Sequence, residues 1–305
     1  MMQLQPSAED IAAGKDAARQ QWNTTPCGTG DHLVDLEPET LAWFDRVRED
    51  RYLVSDPWMK RSFDYASGCR KRVLEIGFGL GSDLLSWAEG GAEVHGIDIT
   101  EEHLRLARRN FALHGRDATL QLADAAHIPY PDGHFDIAYS NGVLHHTRDI
   151  EACLGEAWRV LKPGGRLLMS VYRRHSAFHY ATLLMAEGLI RGKLWRLGYD
   201  GLLATIEHGA DGISIKPYVH LYTARELRGL LSRFASIDLH VAHFNVRQIP
   251  LMWRILPQRL EPFFEFAKEL LRLRRFWHIN EHANQFIAVG LALMRPQATD
   301  DLRFR

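Results

Sequence analysis

Between Lys71 and Tyr172 the chain switches regularly between two hydrophobic patterns. Short continuous apolar runs, "KRVLEIG", "AEVHGIDI", "ATLQLAD", "FDIAYSNGV" and "RLLMSVY", read as buried strands. Helix-period segments lie between several of them. "SDLLSWAEGG" starts at Ser82 and ends at the Gly90–Gly91 pair. "TEEHLRLARRNFALHG" carries Thr100 as its expected N-cap, acids in its first turn and Gly115 at its end. Leu104, Leu106, Ala107, Phe111 and Leu113 approximate one face of that helix. "DIEACLGEAWRVL" is a further helix, expected to stop at "KPGG". Such alternation predicts βαβ units and a parallel sheet, with ligands at the carboxyl ends of the strands.

Outside this stretch the rhythm breaks. Residues from about Arg173 to Tyr222 read as largely helical, with turns at "GYDG" and "HGADG". "TARELRGLLSRF" is a capped helix, and "SIDLHVAHF" and "NQFIAVGLALM" are strands. Prolines and then a helix occupy "PLMWRILPQRLEPFFEFAKELLRLRRFW". Ahead of the core, "PETLAWFDRVREDRY" and "DPWMKRSFDYAS" predict two lead-in helices. "QQWNTTPCG" has little periodicity. No internal repeat interrupts the pattern.

Composition narrows the picture. With 305 residues and 46% hydrophobic content, the chain can build one large core with additions. A formal net charge of −1 gives no strongly basic face, so no nucleic-acid partner is expected. The three cysteines are far apart and form no CxxC, which fits a reducing, cytoplasmic location. The N-terminus has no signal-peptide core, and no apolar run approaches the roughly 18 residues of a span, so no membrane partner is expected. Two histidine pairs are spaced four apart, His175/His179 and His278/His282. Neither has a visible third ligand, so no metal site is expected.

The chemistry centres on "VLEIGFGLGSD", residues 73–83. Glycine is costly inside regular structure, so Gly77, Gly79 and Gly81 call for a tight turn or close backbone approach. The dinucleotide fingerprint needs glycine where this chain has Ser82, and the Lys of a phosphate-binding P-loop is absent. Asp98 at the tip of the second strand can accept hydrogen bonds from both hydroxyls of a ribose. Asp124, in "LAD" at the third strand's tip, can face an adenine amine. Glu75 either orders the loop amides or faces a helix. Backbone, ribose and adenine contacts without phosphate ligands suit S-adenosylmethionine.

On "VLEIGFGLGSD", "VHGIDIT", "LADAAHIPYPDGHFDIAYSNGVLHH" and "EAWRVLKPGGRLLMSVY", in order over residues 73–172, the chain resembles the class I S-adenosylmethionine-dependent methyltransferases, in their small-molecule type 11 group. The resemblance implies an α/β, Rossmann-like sheet of seven strands whose last strand is antiparallel, with a helical N-terminal lid and C-terminal insertions. It implies that Gly77, Gly79 and Gly81 line the methionine and ribose side and that Asp98, with Ile99 beside it, holds the ribose. Asp124 and Ala125 would flank the adenine, with Ser140 and Asn141 beside the methionine portion. The expected organisation is a leader or lid over residues 1–70 and a core over 71–172 and 233–295. Residues 173–232 and 246–284 would form helical insertions capping the substrate.

Methyl transfer needs alignment, and a hydroxyl acceptor also needs a base. His145 and His146 in "NGVLHHT" are the candidate bases, and Tyr172, Arg173 and His175 after the fifth strand could face the acceptor. Arg173 could hold an acidic one. Trp22, Asn23 and Cys27 are expected in a lid that excludes water. Trp22, Trp58, Trp195, Phe244, Trp253 and Trp277 are candidate pocket walls. No carboxylate cluster of the metal-dependent catechol type and no cysteine set of the arsenic type is present. "SNGV" stands where DNA amino-methyltransferases carry Asn/Asp-Pro-Pro-Tyr/Phe. The expected function is methyl transfer to a small molecule, at oxygen, sulfur or nitrogen. A small-thiol S-methyltransferase and a non-catalytic cofactor-binding regulator are the alternatives. Oligomeric state is not legible in the sequence.

Overall fold

A computed structural model describes residues 7–29, 33, 35–56, 58–176, 178–206, 218–242 and 285–292. The chain enters through helix α1 (Ala8–Thr24), which runs into the start of "QQWNTTPCG", the stretch of little periodicity in the sequence. Its start is built by a reciprocal cap: Ser7 Oγ accepts from the Asp10 amide at 3.1 Å, and the Ser7 amide donates to Asp10 Oδ2 at 3.2 Å. None of its residues is fully buried, so polar contacts rather than a core face hold it. Helix α2 (Leu41–Asp50) buries Trp43, Phe44 and Val47 and runs into a π-helical turn, Arg51–Ser55. The second lead-in helix shrinks to one turn, α3 (Met59–Ser62).

Strand β1 (Arg72–Ile76), helix α4 (Ser82–Glu89), β2 (Glu93–Asp98), α5 (Glu101–Leu113), β3 (Thr119–Leu122), β4 (Phe135–Asn141), α6 (Ile150–Val160) and β5 (Leu161–Tyr172) follow in the expected sequence. Five strands form a parallel sheet in the order β3-β2-β1-β4-β5. Strand alternation sorts its two cores. Leu74, Ile76 and Ala138 pack against α6 through Leu154, Ala157 and Val160. Val73, Ile137 and Tyr139 pack against α4 and α5 through Leu84, Leu85, Trp87 and Phe111. β1 lies between β2 and β4, so the order of strands reverses there and a crevice opens at its carboxyl end.

Two local expectations are corrected. Thr100 makes no side-chain cap on α5; its hydroxyl donates to Asp98 Oδ1 at 2.9 Å instead. "KPGG" is not a loop between α6 and β5, because the strand begins at Leu161 and runs through it.

Beyond β5 the chain forms a π-helix over Phe178–Ile190, then α7 (Lys193–Ala204), kinked at Gly198, and α8 (Ala224–Leu230), capped by Thr223. Strands β6 (Phe234–Ala242) and β7 (Gln285–Ala292) are the last elements among the described residues. The expected insertion over 246–284, His278 and His282, and Phe244, Trp253 and Trp277 lie outside the described residues.

Candidate cofactor and acceptor site

A cavity of about 840 Å³ opens at the carboxyl ends of β1 to β4. Its floor is the glycine turn after β1, its sides are the tips of β2 and β3, and its roof is α1. Of the expected cofactor residues, Glu75, Gly77, Gly79, Asp98, Ile99, Asp124, Ala125 and Asn141 line it.

The three glycines have different tasks. Gly77 sits at φ +77°, and a Cβ there would meet Val143 Cγ2 at 2.5 Å, so the loop after β4 demands a glycine. Gly79, at φ +52°, has nothing nearer to its Cβ position than Cys27 at 4.0 Å and presents open backbone to the cavity. Gly81 does not line the cavity; it caps α4, and its Cβ position lies 3.2 Å from Phe111 and 3.3 Å from Ala107. In this structure Gly81 serves helix packing.

Asp98 is buried and fully engaged. Its Oδ2 accepts from the Gly79 amide at 3.0 Å, and its Oδ1 from the Thr100 amide at 3.0 Å. His103 Nδ1 lies 3.2 Å from both oxygens. Burial alone would raise this carboxyl, but the hydrogen bonds from His103, Gly79 and Thr100 hold it below the usual aspartate range. His103 Nε2 in turn accepts from the Cys27 amide at 3.2 Å. Since Nε2 accepts, Nδ1 carries the proton that reaches Asp98. His103 lines the cavity and was not singled out in the sequence, where it reads as one polar position of α5.

At the third strand tip, Asp124 Oδ1 accepts from the Ala126 amide at 2.9 Å. Its Oδ2 is held by Lys15 of α1 at 2.6 Å, and Lys15 Nζ also lies 3.9 Å from Asp149. Lys15 outweighs burial and lowers the Asp124 carboxyl. The oxygen expected to meet an adenine amine thus carries a lysine. Helix α1 continues across the mouth: Arg19 Nε donates to the Ile99 carbonyl at 3.3 Å, and Asn23 Oδ1 accepts from the Glu102 amide at 3.1 Å. The Trp22 ring lies 6.0 Å from His103 and 5.8 Å from His146. Trp22 and Cys27 line the cavity; Asn23 instead ties α1 to α5.

Glu75 is only 2% exposed, and its Oε2 is buried with no hydrogen-bond partner. Burial, reinforced by the nearby Asp83 charge, pushes its carboxyl well above the ordinary glutamate value. An orphaned acceptor aimed into a cavity fits a cationic ligand group such as the ammonium of a methionyl moiety. The raised value also makes a stability prediction. The folded state resists ionising Glu75, so this group destabilises the fold as pH rises above the ordinary glutamate value, until the folded carboxyl too has ionised. Glu75→Gln removes that burden. Its melting temperature at pH 7 to 8 should exceed that of the parent by roughly 3 °C or more, with the gain shrinking in acid. Binding of S-adenosylhomocysteine by calorimetry should weaken. Equal melting temperatures at pH 8 would mean the carboxylate is already compensated.

On the acceptor side the two adjacent histidines diverge. His146 lines the cavity and its Nδ1 donates to the Tyr218 carbonyl at 3.0 Å, which leaves Nε2 as the basic nitrogen. His145 is fully buried, with its ring centroid 3.9 Å from that of Tyr172; neither residue lines the cavity. Ser140 is also buried away from it and donates to the Ile76 carbonyl at 3.0 Å. Asn141 contacts Ser170 Oγ through its Oδ1 and Met59 Sδ through its Nδ2. Arg173 and His175 lie outside the cavity lining: the Arg173 backbone forms an isolated β-bridge with that of Tyr222, and His175 Nδ1 pairs with the Tyr180 hydroxyl at 2.6 Å. Trp58 packs on Phe63, and Trp195 is exposed, so neither walls the cavity.

Beneath the glycine turn lies a network the sequence did not reveal. Asp83, in the first turn of α4, receives Arg51 Nε at 2.9 Å and Arg51 Nη2 at 2.7 Å. The Tyr52 and Tyr139 hydroxyls donate to the same carboxylate at 2.8 and 3.0 Å. Arg51 and Asp83 both border the cavity. Burial and the Asp83 charge push all three neighbouring tyrosines, Tyr52, Tyr65 and Tyr139, above the ordinary range. Among the described residues no group of three or more metal-ligating side chains occurs.

Residues 74–169 match the family model described as "Methyltransferase domain". These residues form a methyltransferase domain. The chain is 38% identical over 115 residues to a demethylmenaquinone methyltransferase of Thermus thermophilus, covering 37% of this chain and 52% of the relative. It is 29% identical over 181 residues to a ubiquinone biosynthesis O-methyltransferase of Psychrobacter cryohalolentis, covering 57% of this chain and 67% of the relative. The matches thus span about half and about two thirds of those relatives. A solved S-adenosylmethionine-dependent methyltransferase from Methanosarcina mazei superposes with a TM-score of 0.51 at 21% identity, over 76% of this chain and 96% of that one. That likeness concerns the fold. The cofactor expected from the sequence is S-adenosylmethionine. The unpartnered Glu75 oxygen and the open Gly79 backbone fit its ammonium and ribose groups in kind, whereas the Asp98 carboxylate meets a ribose once one of its present donors yields.

Proposed function

We propose that the chain transfers a methyl group from S-adenosylmethionine to a small-molecule acceptor. The observation that carries the reading is one cavity shared by the open Gly79 backbone, Glu75, Asp98, Asp124 and His146. When bound, the cofactor supplies an activated methyl group on a sulfonium sulfur. Glu75 accepts from its ammonium, Asp98 from its ribose hydroxyls as His103 Nδ1 gives up its contact, and Asp124 and Ala125 border the adenine. His146, through Nε2, takes the proton of an acceptor hydroxyl; the Tyr218 carbonyl holds the ring in that tautomer. Helix α1, with Trp22 and Cys27, acts as a lid that excludes water from the transfer. Lys15 yields Asp124 to the adenine by moving toward Asp149.

The wider organisation follows the same plan. A seven-stranded sheet is supported by the register of β7, which pairs antiparallel with β5 from Arg166–Leu291 to Tyr172–Gln285 and with β6 beyond it. The helical segments after β5 cap the acceptor side. The free cysteines suit a cytoplasmic protein. The relatives' names place a quinone-type ring at the head of the acceptors to try, with other hydroxylated rings, thiols and amines after it.

The test is formation of S-adenosylhomocysteine, followed by mass spectrometry, across that acceptor panel. An active acceptor is expected. His146→Ala should then lose roughly 10²- to 10⁴-fold in kcat with cofactor affinity retained, and the acidic limb of the pH–rate profile should vanish. Binding of the cofactor without turnover of any acceptor would defeat the proposal of transfer. Full activity in His146→Ala would remove the base.

A further inference from the structure

The cap after β5 has two apolar faces. The inner one is a small core in which Leu183, Leu202, Leu203, Val219 and Leu221 pack with Tyr172. The outer one faces solvent. Seven of the ten large apolar side chains exposed among the described residues fall between Tyr180 and Tyr199. Single exposed apolar residues are ordinary; a contiguous group marks a contact surface. The π-helix Phe178–Ile190 and α7 meet at a turn, Arg191–Gly192–Lys193, where Gly192 takes φ +71°. Ile190 and Trp195 flank that turn and are 77% and 78% exposed.

Charge tells what the tip fits. The nine residues Leu189 to Leu197, "LIRGKLWRL", hold three cations and no acid. Arg191 and Lys193 share one carboxylate, Glu187, each at 2.6 Å, so a positive charge is left over between them. Arg196 is exposed beside Trp195. Indole at an interface, aliphatic side chains below it and cations around it are the chemistry of a bilayer's headgroup layer, where phosphates face the cations. A second copy of this chain would place the same cations against each other. We propose that the Leu189–Leu197 tip docks the protein peripherally on an anionic lipid bilayer. No helix among the described residues is long and apolar enough to cross a membrane, and docking of this kind requires none. The expectation of no membrane partner rested on the lack of a span.

Vesicle flotation of the full chain tests the proposal, with phosphatidylcholine vesicles alone or mixed with phosphatidylglycerol. Binding is expected to the mixed vesicles only. It should weaken severalfold between about 0.1 M and about 1 M salt, as the Debye length falls from about 10 Å to about 3 Å. The Ile190→Ser/Trp195→Ala pair should cut the bound fraction roughly tenfold, and Arg196→Glu should erase the preference for the anionic lipid. Unchanged affinity for S-adenosylhomocysteine will show that these variants are folded. Failure of the parent to float with phosphatidylglycerol, or equal flotation of the double variant, would overturn the proposal. So would a concentration-dependent dimer in sedimentation that the double variant abolishes, because the face would then belong to a second copy.

Discussion

Asp98→Ala is expected to weaken S-adenosylhomocysteine binding roughly 10- to 150-fold by calorimetry, the equivalent of about 1.5–3 kcal/mol for hydrogen bonds to a charged group. Two losses combine. The ribose hydroxyls lose their proposed acceptor, and the Gly79 amide loses the carboxylate that fixes the turn. Thr100 and His103 lose the same partner, so the Cys27 contact that His103 relays from the lid is loosened as well. Asp98→Asn separates the two losses. It keeps the size but turns one oxygen into a donor, against the amides of Gly79 and Thr100. The pH dependence has a definite sign. Because the folded carboxyl is held low, its contribution is complete above the ordinary aspartate value and disappears as pH falls through the lower folded value. Affinity should therefore be flat between pH 6 and 8 on this account. A folded Asp98→Ala protein with parental affinity would leave Asp98 as a strand-end cap and nothing more.

The strand tips were legible because each carries its chemistry at the end of a short apolar run. The run sets the strand, and the sheet's parallel order then brings Glu75, Asp98 and Asp124 to one edge. Glycine was a weaker guide. It marks close approach without saying to what, and at Gly77 and Gly81 the neighbours are Val143 and Phe111. Adjacent histidines had to part company. Consecutive residues on a helical turn project in different directions, so only His146 reaches the cavity while His145 joins Tyr172. Helix α1 escaped because it buries no residue and so has no apolar stripe to read; its signal was the Ser7–Asp10 cap. The Arg51–Asp83 pair had no local signature at all. An acid in the first turn of a helix already has a reason to be there in the dipole, and its partner lies on another element.

That pair is where the largest stability effect is expected. Asp83→Ala should destabilise the fold by about 3–5 kcal/mol, the range for a buried ion pair stripped of one member. In a chain of this size the melting temperature should fall by roughly 10 °C. Asp83 is 2% exposed and receives four hydrogen bonds from three residues, so its removal takes this partner from the Arg51 guanidinium and the Tyr139 hydroxyl together, while the Tyr52 hydroxyl keeps Ser86 Oγ at 2.9 Å. The cost comes from the groups left behind more than from the bonds lost. A second substitution tests this directly. Arg51→Met alone leaves Asp83 buried with the tyrosine donors still present, and it should cost less than Asp83→Ala. The double variant removes both charges and should recover part of the lost stability, giving a coupling well outside the few tenths of a kcal/mol expected for independent sites. Thermal melts of the four proteins measure it. The Glu75→Gln change provides a control at the same place, since Asp83 also holds the Glu75 carboxyl up, and its benefit should shrink once Asp83 is gone. A double variant no more stable than Asp83→Ala alone would move the cost from the guanidinium to the Tyr139 hydroxyl.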